Sequence, residues 1–393
     1  MTSPSGPSGV SDTKDMVAGG IRFTVGSRPQ RRFSNTQSVS ILNSGTSFQP
    51  IQLPATGFVR KVALLFTFTG TAASAGAVVA GDGPWNLING LTITDATGQA
   101  IQQPINGFNQ YLVNKYLSWG SMENTNIPRA WSNPHAGSDF AYSATATTFT
   151  TLFRLDIDFE QDYNTGYGCI PNLDSNASLQ VKIDAAAYTN AFSGTTVSAA
   201  TLSVRVAQYY WAPVGSTVGG VAAMTQPVGF GDYVETRYET QTVSASAENT
   251  ISVTNRGGLI KGMIAVSRAA GVRTAITAAS NVGLLLDNNA IDEGIPVEEH
   301  YDLLRRAYGY IGTDLTTSYA PLTAGTLPGL DRGVVVWPFG AYSGGRDSWL
   351  ATRVGSLLQL KLTPGASATQ LEIITQLAQV KDAASFYSPS ALN

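Results

Sequence analysis

The sequence predicts an all-β protein made of two copies of one β-domain. Three observations carry this. Apolar residues alternate with polar ones along many short segments, which is the period-two signature of strands with one buried face. β-branched and aromatic residues fill those segments, with Gly, Pro, Asn and Ser between them. The segments also recur in the same order in the two halves of the 393-residue chain.

Gly57-Phe-Val-Arg-Lys-Val-Ala-Leu-Leu-Phe returns as Gly258-Leu-Ile-Lys-Gly-Met-Ile-Ala-Val. Asn86-Leu-Ile-Asn-Gly-Leu-Thr-Ile-Thr-Asp, followed by an aromatic stretch from Phe108 to Tyr116, returns as Asn281-Val-Gly-Leu-Leu-Leu-Asp, followed by Glu298 to Tyr308. Leu152-Phe-Arg-Leu-Asp-Ile returns as Val334-Val-Val-Trp-Pro-Phe, and Leu179-Gln-Val-Lys-Ile as Leu357-Leu-Gln-Leu-Lys-Leu. Leu202-Ser-Val-Arg-Val returns as Leu371-Glu-Ile-Ile-Thr. The offset shrinks from about 200 to about 170 residues, so the second copy has the shorter loops. Solenoid units run about 20 to 50 residues, so this repeat is of whole domains.

Taken along the chain, residues 1–20 read as a flexible N-terminal arm, 21–213 as the first β-domain and 214–231, rich in Gly, Val and Pro, as a linker. Residues 232–381 read as the second domain and 382–393 as a Ser/Ala-rich tail. The clearest strand is Leu152 to Glu160. Phe153, Leu155, Ile157 and Phe159 fall on one face, and Arg154, Asp156, Asp158 and Glu160 on the other, which is expected to be solvated. Further strands are expected at 179–183, 202–210, 251–254, 259–266, 334–337, 357–362 and 371–377. Helices are expected at 107–119 and 297–308, in corresponding places of the two halves. The second has Glu298 and Glu299 at its start and Arg305 and Arg306 near its end, which complements the helix dipole. Residues 95–150 and 186–200 show no clear pattern. Short strands, few helices and regular turns indicate β-sandwiches or jelly rolls.

Composition narrows the function. Charged residues make up 13% of the chain, about half the usual quarter. Surfaces covered by neighbouring subunits are depleted in charge, and so is a Ser/Thr-rich extracellular β-protein. The net charge is −3, and no Lys/Arg cluster interleaves with aromatics. Phosphate backbones require a basic surface, so no direct nucleic-acid contact is expected. One cysteine, Cys169, excludes an intrachain disulfide and reads as a small buried apolar group. The polar start Met1-Thr-Ser-Pro-Ser-Gly-Pro-Ser-Gly has no apolar signal core. Ala63 to Gly81 is interrupted by Thr, Ser and Gly and reads as strand plus loop.

Chemistry-bearing residues are sparse. His135 lies in a loop and His300 in a helix, outside any His-Glu-x-x-His zinc pattern. No Gly-x-Ser-x-Gly elbow is present. Asp156, Asp158, Glu160 and Asp162 share a strand face and could in principle bind Ca²⁺ or supply a glycosidase pair. The matching strand Val334 to Phe339 has no carboxylate, which favours a solvated face with Arg154 as partner. Asp287-Asn-Asn-Ala-Ile-Asp-Glu-Gly lacks the glycine position and final ligand of a calcium loop and reads as a turn. Gly344-Gly345-Arg346 lacks the P-loop ending. No catalytic, cofactor-binding or metal-binding residue is assigned, and no enzyme activity is expected.

The ordered set of segments resembles the double jelly-roll major capsid proteins of tailless, membrane-containing bacteriophages, the tectivirus-like group. The likeness is carried by Gly57-Phe-Val-Arg-Lys-Val, then Gly83-Pro-Trp-Asn-Leu-Ile leading into Leu91-Thr-Ile-Thr-Asp. It continues through Tyr111-Leu-Val-Asn, Phe153-Arg-Leu-Asp-Ile, and Leu179-Gln-Val-Lys-Ile before Ala191-Phe192. It spans roughly residues 35 to 380. The resemblance implies two tandem eight-stranded jelly rolls standing upright, with short helices in loops. It implies homotrimers with a six-sided outline that tile an icosahedral shell around an internal lipid membrane, with no cofactor. Implied partners are other copies of the chain, neighbouring capsomers, penton or vertex proteins, minor capsid proteins and the viral inner membrane at the base. The implied location is the virion capsid, after synthesis in the host cytoplasm.

The resemblance also places loops after the fourth and sixth strands of each roll on the outer surface, here 118–148, 160–177, 309–332 and 340–355. Relatives can carry a helical N-terminal arm, whereas Met1 to Asp15 is a poor helix former. Arg28, Arg31 and Arg32 form the basic group that could meet anionic lipid head groups. The alternative reading is an extracellular β-sandwich adhesin or carbohydrate-binding protein. Its aromatic platform would come from Trp119, Trp131, Trp337 and Trp349.

Overall fold

The computed structural model describes residues 16–17, 20–72, 78–79, 82–95, 98–118, 147–161, 165–175, 178–193, 196–229, 232–277, 280–308, 333–339 and 348–380. Most of the N-terminal arm, most of 118–148, all of 309–332, 340–347 and the tail lie outside them, as do His135, Asp162, Trp119 and Trp131.

The first roll contains eight strand positions. β1 comes in two pieces, Pro29–Phe33 and Gln37–Ser40, and β2 in two pieces, Thr46–Ser47 and Ile51–Gln52. β3 is Gly57–Ala72, β4 Ile88–Thr94 and β5 Ala100–Ile105. Helix α1, Gly107–Tyr116, follows. β6 is Thr147–Asp158, β7 Gln180–Ala185 and β8 Val197–Trp211. One sheet runs β1-β8-β3-β6 and the other β2-β7-β4-β5, all antiparallel. Strands that alternate between two facing four-stranded sheets in this order make a jelly roll.

The second roll repeats the plan. β9 is Asp232–Thr242, β10 Asn249–Ser252, β11 Leu259–Ala269, β12 Asn281–Leu286 and β13 Asn289–Pro296. Helix α2, Val297–Tyr308, precedes β14, Val334–Trp337; β15 is Leu358–Leu362 and β16 Gln370–Val380. The sheets run β9-β16-β11-β14 and β10-β15-β12-β13. Each strand therefore corresponds to the one eight places later, and all five repeated segments fall on corresponding elements. Even the short extra pairings agree, since Ile170–Asn172 joins the start of β3 as Leu350–Ala351 joins the start of β11.

Alternation explains the cores. Val62, Leu64, Phe66 and Phe68 of β3 meet Phe153, Leu155 and Ile157 of β6 and Leu202, Val204 and Val206 of β8, all buried. Phe66 stacks on Phe153 with ring centroids 4.8 Å apart. Turns follow residue type as well. Asp287 and Asn288 join β12 to β13 with φ of 52° and 65°, the left-handed values a two-residue hairpin needs and Asp and Asn tolerate. The Asp287 carboxylate accepts from the Leu357 amide (2.7 Å), so this segment is the turn the sequence indicates.

Strand direction fixes two ends. At the linker end lie the starts of β3 and β11, the end of β8 and residues 165–175. At the far end lie Ala72, opposite Thr147 and Val197, and the β11 turn beside Gly333. This corrects the expected grouping of the outer loops. Residues 118–148 follow the fifth strand and its helix, because β4 and β5 close a tight hairpin across Asp95–Gln99. Residues 165–175 and 350–355 lie at the linker end, whereas Thr147 and Gly333 re-enter their sheets at the far end. The described ends of these loops therefore do not lie at one end of the molecule.

The linker is structured. Thr217–Val218 pairs with Val221–Ala222, and Ile21, in a strand that pairs with Met16–Val17, bridges Ala223. Phe23, on a short helical turn at Phe23–Gly26, packs edge-on against Phe58 (5.2 Å) and near Trp211 (6.4 Å), with Cys169 in the same cluster. Burial pushes the Cys169 thiol well above its ordinary value, so it stays protonated.

His300 of α2 is 5% exposed, and its Nε2 accepts from the Val336 amide (3.3 Å). Burial lowers its pKa to about 4, against an ordinary 6.5. The unfolded chain takes up the proton near pH 6.5 and the folded chain only near 4. This contribution to stability is therefore complete above pH 6.5 and is lost as pH falls towards 4, by at most about 3 kcal/mol. Urea unfolding of wild type and His300→Gln at pH 7 and pH 4.5 measures it. The wild type should lose the greater stability, and equal losses would remove His300 as the cause.

Candidate functional site: the junction and the open faces of the two rolls

The two rolls meet through α1. Asn106 caps this helix, its side chain accepting from the Asn109 amide (2.8 Å). All of its residues except Asn114 are buried. One side lies along β6 of its own roll, where the side chains of Gln110 and Asn114 donate to the Asp156 carbonyl (2.7 and 2.6 Å). The other side lies on the outward face of the β9-β16-β11-β14 sheet. There Asn109 donates to Glu372 of β16 (3.3 Å) and Phe108 sits under the guanidinium groups of Arg268 (5.5 Å) and Arg273 (5.2 Å). Gly262 of β11 lies under Leu117, and a Cβ there would run into the leucine methyl groups. The glycine permits this close approach. β5 completes the contact: Gln102 donates to the Thr236 carbonyl of β9 (3.4 Å), where Tyr233 to Thr236 are buried.

A charged cluster sits at the centre. Arg268 reaches Asp82 of the first roll (2.5 Å) and Glu372 (2.6 Å), and Arg273 also reaches Asp82 (3.0 Å). Tyr238 donates to the second Glu372 oxygen (3.0 Å). Burial disfavours the Arg268 charge, but Asp82 and Glu372 outweigh it and hold its pKa above the ordinary value. Charge-assisted hydrogen bonds of this kind fix geometry as well as energy.

The acidic row on β6 is also interior, which corrects the expectation of a solvated face. Asp156 is 6% exposed and Glu160 fully buried. Lys61 on β3 meets Asp156 (3.0 Å) and Asp158 (3.3 Å), and Arg154 meets Asp156 (2.6 Å). Burial works against the Lys61 charge, yet the two carboxylates raise its pKa. Glu160 accepts from Arg60 (2.5 Å), the Trp211 indole (3.1 Å) and the Gly166 amide (2.7 Å). α1 and the following Ser118 cover Asp156 and Asp158, and Glu160 is enclosed within its own roll, which single-strand periodicity does not reveal. Among the described residues no group of three or more His, Cys, Asp or Glu side chains is placed to hold a metal ion. Trp337 and Trp349 are buried, so neither offers a sugar platform.

The three arginines singled out in the sequence do not form one cluster. Arg28 precedes β1, and alternation sends Arg31 and Arg32 of β1 to opposite sides. Arg31 lies over Phe33 (4.8 Å) and Tyr209 (5.9 Å), and Arg205 of β8 over the same Phe33 (4.3 Å). Arg31 and Arg205 thus belong to the outward face of the β1-β8-β3-β6 sheet. The linker end carries a different surface: Val25, Leu173, Val221, Val228, Leu259 and Val354 are exposed there, Val354 at 81%. Arg22, Arg28 and Arg353 stand among them, all exposed. Lys261 donates to Gln161 (3.1 Å) across the rolls, so both rolls contribute to this end. No described helix is long and apolar enough to cross a membrane.

Two jelly rolls in one chain, locked side by side through α1, define a double jelly roll. No family model matches the chain, and no curated protein matches it. Solved structures do. The crystal structure of the STIV MCP has a TM-score of 0.58 at 13% identity, covering 90% of this chain and 97% of that one. The atomic structure of Sulfolobus Turreted Icosahedral Virus gives 0.57 at 12% identity, covering 90% of each chain. The major capsid protein P2 from Bacteriophage PM2 has a TM-score of 0.48 at 14% identity, covering 90% of this chain and 99% of that one. The likeness is one of fold, and it resembles the double jelly-roll major capsid proteins.

Removing one partner from a buried charge cluster leaves the others uncompensated, at a cost of about 3–5 kcal/mol. Arg268→Ala should therefore destabilise the chain by that amount, measured by chemical denaturation, because Asp82 and Glu372 lose their shared partner. Arg306→Ala, which removes an exposed ion pair with Asp302, should change stability by less than about 1 kcal/mol. Equal effects would contradict the structural weight given to the junction.

Proposed function

We propose that this protein is a viral major capsid protein. Three copies form a capsomer with a six-sided outline, and capsomers tile an icosahedral shell around an internal lipid membrane. The observation that carries the reading is the double jelly roll itself, matched over 90% of this chain and 97% of the STIV MCP. The low charge content supports it, because capsomer flanks are buried in the assembled shell. The role is structural and not enzymatic, with penton, vertex and minor capsid proteins as further partners and the virion as its location. Light scattering on a sizing column, with electron microscopy of the same peak, tests it. A species of about 124 kDa, three times the 41.4 kDa chain, with a six-sided outline is expected. A monomer at high concentration that binds sugar would support the adhesin or carbohydrate-binding reading instead.

In this reading the linker end faces the membrane. Its exposed Val25, Leu173, Val221, Val228, Leu259 and Val354 suit an interfacial layer, and Arg22, Arg28 and Arg32 suit anionic head groups. Arg31 turns onto the sheet face and is not part of this set. Each arginine near an anionic surface contributes about 1 kcal/mol, so Arg28→Ala/Arg32→Ala should weaken flotation with phosphatidylglycerol vesicles roughly thirtyfold. Unchanged flotation would end the assignment.

A further inference from the structure

The two rolls share a plan but not an environment. α1 is buried between its own β6 and the outward sheet face of the second roll. α2 follows β13 as α1 follows β5, and it packs on β14 as α1 packs on β6, through Val297, His300, Tyr301 and Leu304. Its other side is exposed among the described residues. The second and third residues of α1, Phe108 and Asn109, are the ones that meet the second roll. The second and third residues of α2 are Glu298 and Glu299, both exposed. Further along, Leu303 is 43% exposed, and Ile291 on the adjoining β13 is 41% exposed beside an exposed Glu293.

The complementary asymmetry lies on the first roll. The outward face of β9-β16-β11-β14 is covered by α1 and β5, with Ile264, Val266 and Ile374 at 0% exposure. Away from the Asp156 end of β6, which α1 covers, no such cover lies over the equivalent face of β1-β8-β3-β6 among the described residues. In one cross-strand line, Arg205 of β8 pairs with Leu65 of β3 and that with Arg154 of β6. Leu152 and Thr67 follow in the next line, and Arg31 extends the basic edge. Leu65 and Leu152 are half-buried, and Arg31 and Arg205 are exposed.

We propose that α2 and β13 of one copy dock on the outward face of the first-roll β1-β8-β3-β6 sheet of the next copy, repeating between chains the contact that α1 and β5 make within one. Each copy then offers one face that carries Leu303, Ile291, Glu293, Glu298 and Glu299, with Arg306 paired to Asp302, and one basic face with Leu65 and Leu152. The contact is heterologous, so it forms a ring where the rotation closes. Three copies close it by alternating first and second rolls around six positions. This deepens the capsomer reading and rests on it. The fit is electrostatic as well as apolar: Glu298, Glu299 and Glu293 oppose Arg31, Arg154 and Arg205, which selects the head-to-tail pairing over two like faces meeting.

The experiment is a charge swap in the full chain, read by native mass with circular dichroism as the check on folding. Glu298→Lys/Glu299→Lys and, separately, Arg31→Glu/Arg205→Glu should each remain folded and shift the mass from about 124 kDa towards 41.4 kDa. The quadruple variant, with both faces reversed in one chain, should regain the three-chain mass. Folded single-face variants that keep the wild-type mass would overturn the inference. So would a quadruple variant that stays monomeric, since charge pairing would then not join these faces. A wild-type chain that is itself a monomer would overturn the capsomer reading and this inference with it, whereas a wild-type trimer indifferent to the swaps would overturn this inference alone.

Discussion

The burial of α1 between two sheets is the constraint on which the rest of the molecule depends. A jelly roll needs only its own two sheets to make a core, so nothing intrinsic to either roll sets their mutual position. Here α1 does so because both of its sides are occupied. Gln110 and Asn114 tie it to β6, and Phe108, Asn109 and Leu117 seat it on the second roll. The apolar part of this contact is non-directional. The Asp82–Arg268–Glu372 cluster is directional, and it fixes which way the rolls face. A buried ionic cluster is a weak source of net stability compared with apolar side chains of equal volume. Its value in this chain is orientation rather than extra stability.

Much of the architecture was legible in the sequence, for a physical reason. Strands in a two-sheet sandwich bury one face, so their period-two pattern survives without reference to their partners. All five repeated segments could be paired for that reason, and each pair occupies equivalent strands. α2 is legible to its ends because its amphipathic pattern and end charges are local. β5 was not, because Gln102, Gln103 and Pro104 interrupt the alternation and two register shifts break its pairing with β4.

The functional surfaces were less legible, since they depend on what covers a strand. Asp156 and Asp158 on β6 and Glu160 just beyond it read as solvated, but α1 lies over β6 at Asp156, and Arg60, Trp211 and Gly166 enclose Glu160, all invisible to periodicity. Arg28, Arg31 and Arg32 read as one group because they are adjacent. Once Pro29–Phe33 is an edge strand paired to β8, alternation separates Arg31 from Arg32. The grouping of loops failed similarly. Loop length is visible in the sequence, but which end a loop occupies follows from strand direction, and that requires the strand count.

The two helices hold equivalent places in their rolls and differ in what lies over their outer sides. The partner of α1 is covalently linked and always present, so Phe108 and Tyr116 can be buried without any period of exposure. α2 packs on β14 by one side, and its other side, exposed among the described residues, carries Glu298, Glu299 and Arg306 around one leucine. A wholly apolar face there would expose the patch that drives indiscriminate association, and a wholly polar one would leave little area to bury on docking. A leucine among charged side chains of both signs satisfies both demands.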